Sequence, residues 1–241
     1  MFKMEYKLIG HGAEAKIYLI ESDKKDNNKY IFEFNKDFLN KLGIDSEEFK
    51  IENDKNKIVL KYRYKKKYRN ELIDKEFRKY RTRIEAKILE KLYNYINVPK
   101  LLYKNEENGI IVMEYIEGYN LAKYLEKLNY EEILYNIGKY IGLIHKNKIV
   151  HGDLTTGNMI YNNGKIYFID FGLSFFSNRI EDYAVDLHLF KELFESNHWR
   201  ISDKFSLILE GYKESFLEKY EEVFHRLKVV ESRGRYKSIL F

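Results

Sequence analysis

Cysteine and glutamine are absent from this sequence, and proline occurs once, at Pro99. Without cysteine there can be no disulfide framework, no thiolate nucleophile and no cysteine-zinc site. That fits a cytoplasmic protein. No run of eighteen apolar residues occurs, so no membrane span is expected. The first residues, MFKMEYKLIG, lack a long apolar stretch and a small-residue cleavage site, and no signal peptide is expected. The missing glutamine and the 34% of charged residues suit a thermophile. The many asparagines fit a genome that favours Lys, Asn and Tyr equally well.

What is present is globular: 241 residues, 44% hydrophobic and 16% aromatic, enough for one large domain or two small lobes. The net charge of +5 is unevenly spread. Between Lys55 and Arg83 stand thirteen Lys and Arg against three acids, an excess of +10, with Tyr62, Tyr64, Tyr68, Phe77 and Tyr80 interleaved. Such a stretch points to an anionic partner, against the plainer reading of a solvated helix face.

Along the chain, Glu5–Ile9 and Lys16–Ile20 read as strands around a glycine-containing turn. Lys29–Phe49 has room for a strand and a short helix, and Ile58–Tyr62 reads as a strand. Glu71–Leu92 reads as a long helix whose buried face would be Phe77, Tyr80, Ile84, Ile88 and Leu92. Gly109–Tyr115 suits a buried strand, and Asn129–Asn147 an amphipathic helix. Short strands are expected near Met159–Tyr161 and Ile166–Ile169, then helices from about Asp182 to Val223. Strands dominate the first half and helices the second.

The stretch with most chemistry is Ile149-Val-His-Gly-Asp-Leu-Thr-Thr-Gly-Asn158, followed by Ile166-Tyr-Phe-Ile-Asp-Phe-Gly172. Phosphoryl transfer from ATP needs a carboxylate that accepts or orients the nucleophile's proton, and oxygen ligands that hold magnesium against the phosphates. Asp153 fits the first role, as the catalytic residue. Asn158 and Asp170 fit the second, as metal ligands. His-Gly-Asp or Asp-Phe-Gly alone would be an ordinary turn; the two at this spacing, with strands between, are specific. His151 reads as a residue that packs and holds the loop, not as a proton shuttle.

Upstream, Gly10 and Gly12 lie between two strands and would let the backbone, with Ala13, Glu14 and Ala15, turn over phosphates. Ala15 stands where a third glycine is usual. Lys61 ends an apolar strand as a phosphate-pairing lysine should, with Glu85 on the following helix as its partner. Lys29 and Lys36 are the alternatives for that lysine. Met113, Glu114 and Ile116 would form a hinge beside adenine.

Taken together, Gly12-Ala-Glu-Ala15, Lys67-Tyr-Arg69 with Leu72 and Asp74, Arg81-Thr-Arg-Ile-Glu-Ala86, His151-Gly-Asp-Leu-Thr-Thr-Gly-Asn158, Asp170-Phe-Gly-Leu173, Glu181-Asp182 with Ala184-Val-Asp-Leu187, and Arg233-Gly-Arg235 resemble the small atypical kinase subunits of KEOPS complexes, relatives of the RIO kinases. These pieces span nearly the whole chain. The resemblance implies an α+β, protein-kinase-like bilobal fold: a β-rich N-lobe over residues 1–117 with one long helix, and a short helical C-lobe over 118–241. It implies ATP and Mg2+ as cofactors, and ATP hydrolysis or Ser/Thr phosphorylation in support of tRNA threonylcarbamoyladenosine formation. The partners implied are the threonylcarbamoyltransferase and the other KEOPS subunits, with tRNA contact through Lys55–Arg83 and the C-terminal tail.

The chain departs from that family at several points. Residues 24–56 read as an insertion between the glycine turn and Lys61, and Asn70 replaces a proline. With proline only at position 99, no Ala-Pro-Glu element follows Asp-Phe-Gly. Gly152 stands where an arginine would clamp a phosphorylated loop, so switching by such phosphorylation is not expected. Two other readings remain: a small-molecule phosphotransferase of the aminoglycoside- or choline-kinase type, and a non-catalytic kinase-fold scaffold.

Overall fold

The computed structural model describes residues 4–12 and 14–237, with side chains through Ser232. Ala13 lies outside the described residues, as do the side chains of Arg233 and Arg235. The chain divides into two compact units. One takes in the residues up to Glu90 and Pro99–Tyr115; the other takes in Lys91–Val98 and the residues from Ile116 onward.

In the first unit, β1 (Met4–His11), β2 (Lys16–Ser22), β3 (Lys25–Asp26), β4 (Lys29–Phe34), α1 (Lys36–Leu42), β5 (Phe49–Asn53), β6 (Lys57–Tyr62), α2 (Glu71–Leu92), β7 (Leu101–Asn105) and β8 (Ile110–Glu114) follow in order. Five strands pair antiparallel in the order β1-β2-β6-β8-β7, and three in the order β3-β4-β5. The inserted segment is part of the core. Phe32, Phe34, Leu39 and Ile51 from it join Ile20, Ile58, Leu60 and Val112 of the larger sheet in one buried cluster. Each such side chain contributes about 1.5–3 kcal/mol on burial, so the segment is a second layer and not an appendage.

The long helix begins after Asn70, whose side-chain oxygen accepts the Leu72 N–H at 3.0 Å. An amide cap of this kind satisfies helix-end N–H donors that a proline, with no side-chain acceptor, would leave without a side-chain partner. The apolar face expected of α2 holds only in its C-terminal half, where Ile88 and Leu92 are buried. Tyr80 is exposed, and Asp74, Thr82 and Glu85 are buried instead. The reason is Arg63, buried one residue past the end of β6, which draws polar side chains of the helix inward.

In the second unit come β9 (Tyr119–Asn120), α3 (Leu121–Tyr124), α4 (Tyr130–Lys146), β10 (Ile149–Val150), β11 (Met159–Asn162), β12 (Lys165–Phe168), β13 (Phe175–Phe176), α5 (Ile180–Asn197), α6 (Phe205–Ser215) and α7 (Leu217–Lys237). The strands form two small sheets, β12-β11-β9 and β10-β13. Helices α4 and α6 cross backbone to backbone. A Cβ on Gly138 would stand 1.9 Å from the Ile208 carbonyl oxygen, and one on Gly211 1.9 Å from that of Tyr135. Among the described residues no helix is long and apolar enough to cross a membrane.

Candidate functional site

Strand β10 and the hairpin β11–β12 position the loop of residues 151–158 in the second unit. Met159 pairs with Phe168, and the Ile169 N–H donates to the Asn158 carbonyl at 2.9 Å. Asn158 and Ile169, and hence Asp170, therefore lie at one end of the hairpin. The Asn158 amide donates to the Asp153 carboxylate at 3.0 Å and to its backbone carbonyl at 2.9 Å. Asp170 takes a left-handed φ of 61° and accepts the Gly172 N–H at 3.1 Å. A non-glycine residue in that conformation is strained and needs a reason; here the turn aims the carboxylate back beside its own loop. Asp153, Asn158 and Asp170 thus belong to one loop-and-hairpin assembly.

A residue not assigned a role from the sequence holds this loop. Buried Asp186, on α5, accepts the His151 N–H on Oδ2 and the Gly152 N–H on Oδ1, both at 2.9 Å, and His145 Nε2 lies 3.2 Å from Oδ2. Burial alone would push its carboxyl up, but the His145 hydrogen bond, the nearby His151 and the backbone donor outweigh it and hold it below the usual carboxylate range. His145 Nδ1 meets the Tyr212 hydroxyl at 2.9 Å. The only sequence signal for Asp186 was its place in Ala184-Val-Asp-Leu187.

His151 is fully buried, and burial pushes its pKa down, keeping it neutral. Its Nδ1 accepts the Asp153 N–H at 3.3 Å, and its ring packs 4.7 Å from that of Phe171. It is a holding residue. Gly152 has φ 76°, and a Cβ there would stand 2.6 Å from the Leu173 carbonyl oxygen. That space, and not chance, excludes arginine from this position. Thr156 Oγ1 contacts His198 Nε2 at 2.9 Å, and Asn120 donates to the Gly157 carbonyl at 2.7 Å, so each side of the loop is tied down.

In the first unit, Lys61 donates to Glu85 Oε1 at 2.8 Å, both side chains being buried. Lys29 opens β4 and Lys36 opens α1, where its ammonium donates to the Ser46 carbonyl; neither is in this pair. Arg63, two residues on from Lys61 and just past the end of β6, donates to Glu85 Oε2 and to Thr82 at 3.4 Å. Its Nε is buried without a hydrogen bond. Sequence reasoning missed Arg63, although the period of two could have found it.

Gly10 and Gly12 do not adopt positive φ. The β1–β2 turn is instead made by a register shift between Leu8 and Gly10 and by Gly12 N–H donating to the Ala15 carbonyl at 3.0 Å. Glu14 in this turn faces two arginines: Arg69 at 3.0 Å and Arg81 at 3.8 Å. Met113 and Glu114 end β8, with the Glu114 N–H donating to the Lys100 carbonyl; Ile116 begins the second unit and is buried.

The basic excess of Lys55–Arg83 is largely met in space. Acids from outside the stretch pair with it: Glu14 with Arg69, Glu21 with Lys57, Glu85 with Lys61 and Arg63, Glu106 with Arg83, Glu107 with Lys75 and Lys79, and Glu114 with Lys55. A charge that looks unbalanced along the sequence is a face of mixed sign in the fold.

The RIO domain family model matches residues 31–181, and that of the Phosphotransferase enzyme family matches residues 146–221. The KEOPS complex subunit Bud32 of Pyrococcus abyssi is 43% identical over 237 residues, covering 96% of each chain. A probable bifunctional tRNA threonylcarbamoyladenosine biosynthesis protein of Methanobrevibacter smithii is 41% identical over 74% of this chain and 33% of its own length. Among solved structures, a Rio2 kinase ADP/Mg2+-phosphoaspartate complex from Chaetomium thermophilum gives a TM-score of 0.56 at 13% identity, covering 95% of this chain and 70% of that one. That likeness, with the sheet-rich first unit and helical second unit, shows an α+β protein-kinase-like fold.

Proposed function

This chain belongs to the RIO-domain family and, within it, to the Bud32 group of kinase-like KEOPS subunits; on that premise we propose that it carries out Mg2+-dependent phosphoryl transfer from ATP, as an ATPase or atypical Ser/Thr kinase, in support of tRNA threonylcarbamoyladenosine formation. The observation that carries this reading is the Asn158 amide bonded to both the side chain and the backbone of Asp153, at the hairpin end that also bears Asp170.

Asp153 would accept or orient the proton of the attacking hydroxyl or water, its carboxylate held in place by Asn158. With its Nδ2 given to Asp153, Asn158 is left with its amide oxygen as a ligand, and Asp170 supplies a carboxylate. Among the described residues no three His, Asp or Glu side chains converge as a closed metal cage. One carboxylate and one amide oxygen fit magnesium, which retains waters and phosphate oxygens. When bound, that ion neutralises charge developing on the transferred phosphoryl group. Lys61, fixed by Glu85, would hold phosphate oxygens. Gly10, Gly12, Ala13, Glu14 and Ala15 would border the phosphates, and Met113, Glu114 and Ile116 the adenine. The partners in this reading are the threonylcarbamoyltransferase and the other KEOPS subunits. tRNA contact through Lys55–Arg83 and the tail is part of it, although the ion pairs threading that stretch reduce what counter-ion release can contribute.

The test is steady-state ATP hydrolysis with magnesium, with and without the transferase subunit and tRNA. Weak hydrolysis alone, stimulation in the complex, and loss in Asp153→Ala and Asp170→Ala are expected. Hydrolysis and tRNA modification undiminished in Asp153→Ala would leave a scaffold. The match of residues 146–221 to the phosphotransferase model favours one further reading, a small-molecule kinase. Turnover of aminoglycosides or amino alcohols, with no response to the tRNA-modifying partner, would select it.

A further inference from the structure

Glu14 is gripped in an unusual way for a surface carboxylate. Arg69 Nη2 donates to its Oε1 at 3.0 Å, and Arg81 Nη1 stands 3.8 Å from its Oε2, so each oxygen faces a different guanidinium. The two arginines flank one ring: their guanidinium carbons lie 5.0 and 4.2 Å from the centre of Phe77. Phe77, Arg81 and Glu85 follow at intervals of four on α2, so Arg81 stands one turn from the Glu85 that takes Lys61 and Arg63. Arg69 Nη1 is buried with no hydrogen bond, 3.8 Å from Asp74.

Two guanidiniums on the two oxygens of one anion is how arginine recognises phosphate. We infer that Arg69 and Arg81 form a phosphate-binding subsite of the first unit, and that the Glu14 carboxylate is its internal stand-in, displaced when a phosphate group binds. Charge supports the assignment. Arg81 has its pKa pushed down by burial and by the neighbouring Arg63 and Arg69, although Glu14 opposes this, so its charge is incompletely compensated. Doubly charged phosphate would compensate it better than one carboxylate does. The ligand chemistry is a phosphate monoester or inorganic phosphate, from either the end of a nucleoside triphosphate or free phosphate. The nucleotide source rests on the function proposed above; the subsite itself does not.

Glu14→Gln tests this, because it removes the competing charge and keeps the shape of a side chain that is 34% exposed. Binding of inorganic phosphate, ADP and ATP is measured by calorimetry on the full chain, with circular dichroism confirming that each variant is folded. Glu14→Gln should bind inorganic phosphate roughly fivefold tighter than wild type, the equivalent of one exposed ion pair. Adding Arg69→Gln or Arg81→Gln should abolish the gain. A gain for ATP and not for ADP identifies the terminal phosphate as the group held. A gain for inorganic phosphate that persists beside bound ADP identifies free phosphate. If Glu14 only tethers the turn, Glu14→Gln will bind all three ligands equally or more weakly, and the subsite is refuted. Wild type that binds no ATP counts against the nucleotide reading instead, and leaves the phosphate comparison decisive for the subsite.

Discussion

Replacing Asp186 by asparagine should damage the loop that carries Asp153 more than a change of one atom suggests. Both carboxylate oxygens are acceptors: Oδ2 takes the His151 N–H and faces His145 Nε2, and Oδ1 takes the Gly152 N–H. An asparagine has one oxygen and one NH2 group. Whichever way it is turned, one backbone N–H at 2.9 Å then faces another donor. The loss is one charge-assisted hydrogen bond, about 1.5–3 kcal/mol, plus a buried unsatisfied donor, about 1–3 kcal/mol. A total of roughly 3–5 kcal/mol is a large share of the 5–15 kcal/mol that is usual for a domain. The assay is urea unfolding followed by fluorescence of Trp199, the sole tryptophan, which lies in the second unit. With a slope of about 2–3 kcal/mol per molar, the midpoint should fall by roughly 1–2 M with the slope unchanged. ATP hydrolysis at a temperature where the variant stays folded should fall on the order of a hundredfold, because the loop that carries Asp153 loses its fixed position. A midpoint within about 0.3 M of wild type would refute the reasoning.

Two further outcomes follow from the same loop. His151 is held neutral by burial below its ordinary 6.5, whereas the unfolded chain takes up a proton there. Stability is therefore full above pH 6.5 and should fall by up to about 1.4 kcal/mol per pH unit below it. His198, lowered mainly by burial, acts in the same direction, and Asp186 adds a loss only below its ordinary 3.8. Unfolding midpoints that stay flat from pH 7 to pH 5 would contradict this. Gly152→Ala should cost about 1–2 kcal/mol for the left-handed backbone alone, and more because its Cβ would meet the Leu173 carbonyl at 2.6 Å. Hydrogen exchange should show the residue 152 amide losing protection as its bond to Asp186 opens; unchanged protection would show that the loop absorbs the methyl group.

Much of the candidate site was legible because its chemistry is local. Asp153 and Asn158 are five residues apart and touch, and strands between Asn158 and Asp170 return the chain to the same end. Lys61 and Glu85 were readable from their order along the chain and do form a pair. Asp186 was not assigned a role, because it acts on residues 34 and 35 positions before it, and no spacing rule carries across such a distance. Tyr80 was placed on the buried face because a hydrophobic stripe takes no account of what lies opposite. Arg63 lies opposite, and it draws Thr82 and Glu85 inward. The counter-charges of the basic stretch were not legible for a related reason, since they come from residues far away in the chain, such as Glu14, Glu106 and Glu114. The layer built from residues 25–53 showed no clear period because aromatic side chains on two strands and a helix all turn to the same core.

The geometry also bears on control. A kinase with arginine before its catalytic aspartate can couple that loop to a phosphate on the activation segment. Here the position is glycine, in a backbone conformation and a space that exclude a side chain. The work of fixing the loop passes to contacts that are always present. Asp186 holds the N–H groups of His151 and Gly152, and the Ser174 hydroxyl, just beyond Asp-Phe-Gly, donates to the His151 carbonyl at 2.6 Å. The segment after Gly172 is tied again within a few residues, where the Ser177 hydroxyl donates to Asp182 and the Tyr183 hydroxyl to the Ser177 carbonyl, each at 2.6 Å. These contacts fix the loop without a phosphate. On the function proposed above, regulation would then act on access to the nucleotide or on the acceptor, and a bound partner subunit is the natural agent of either.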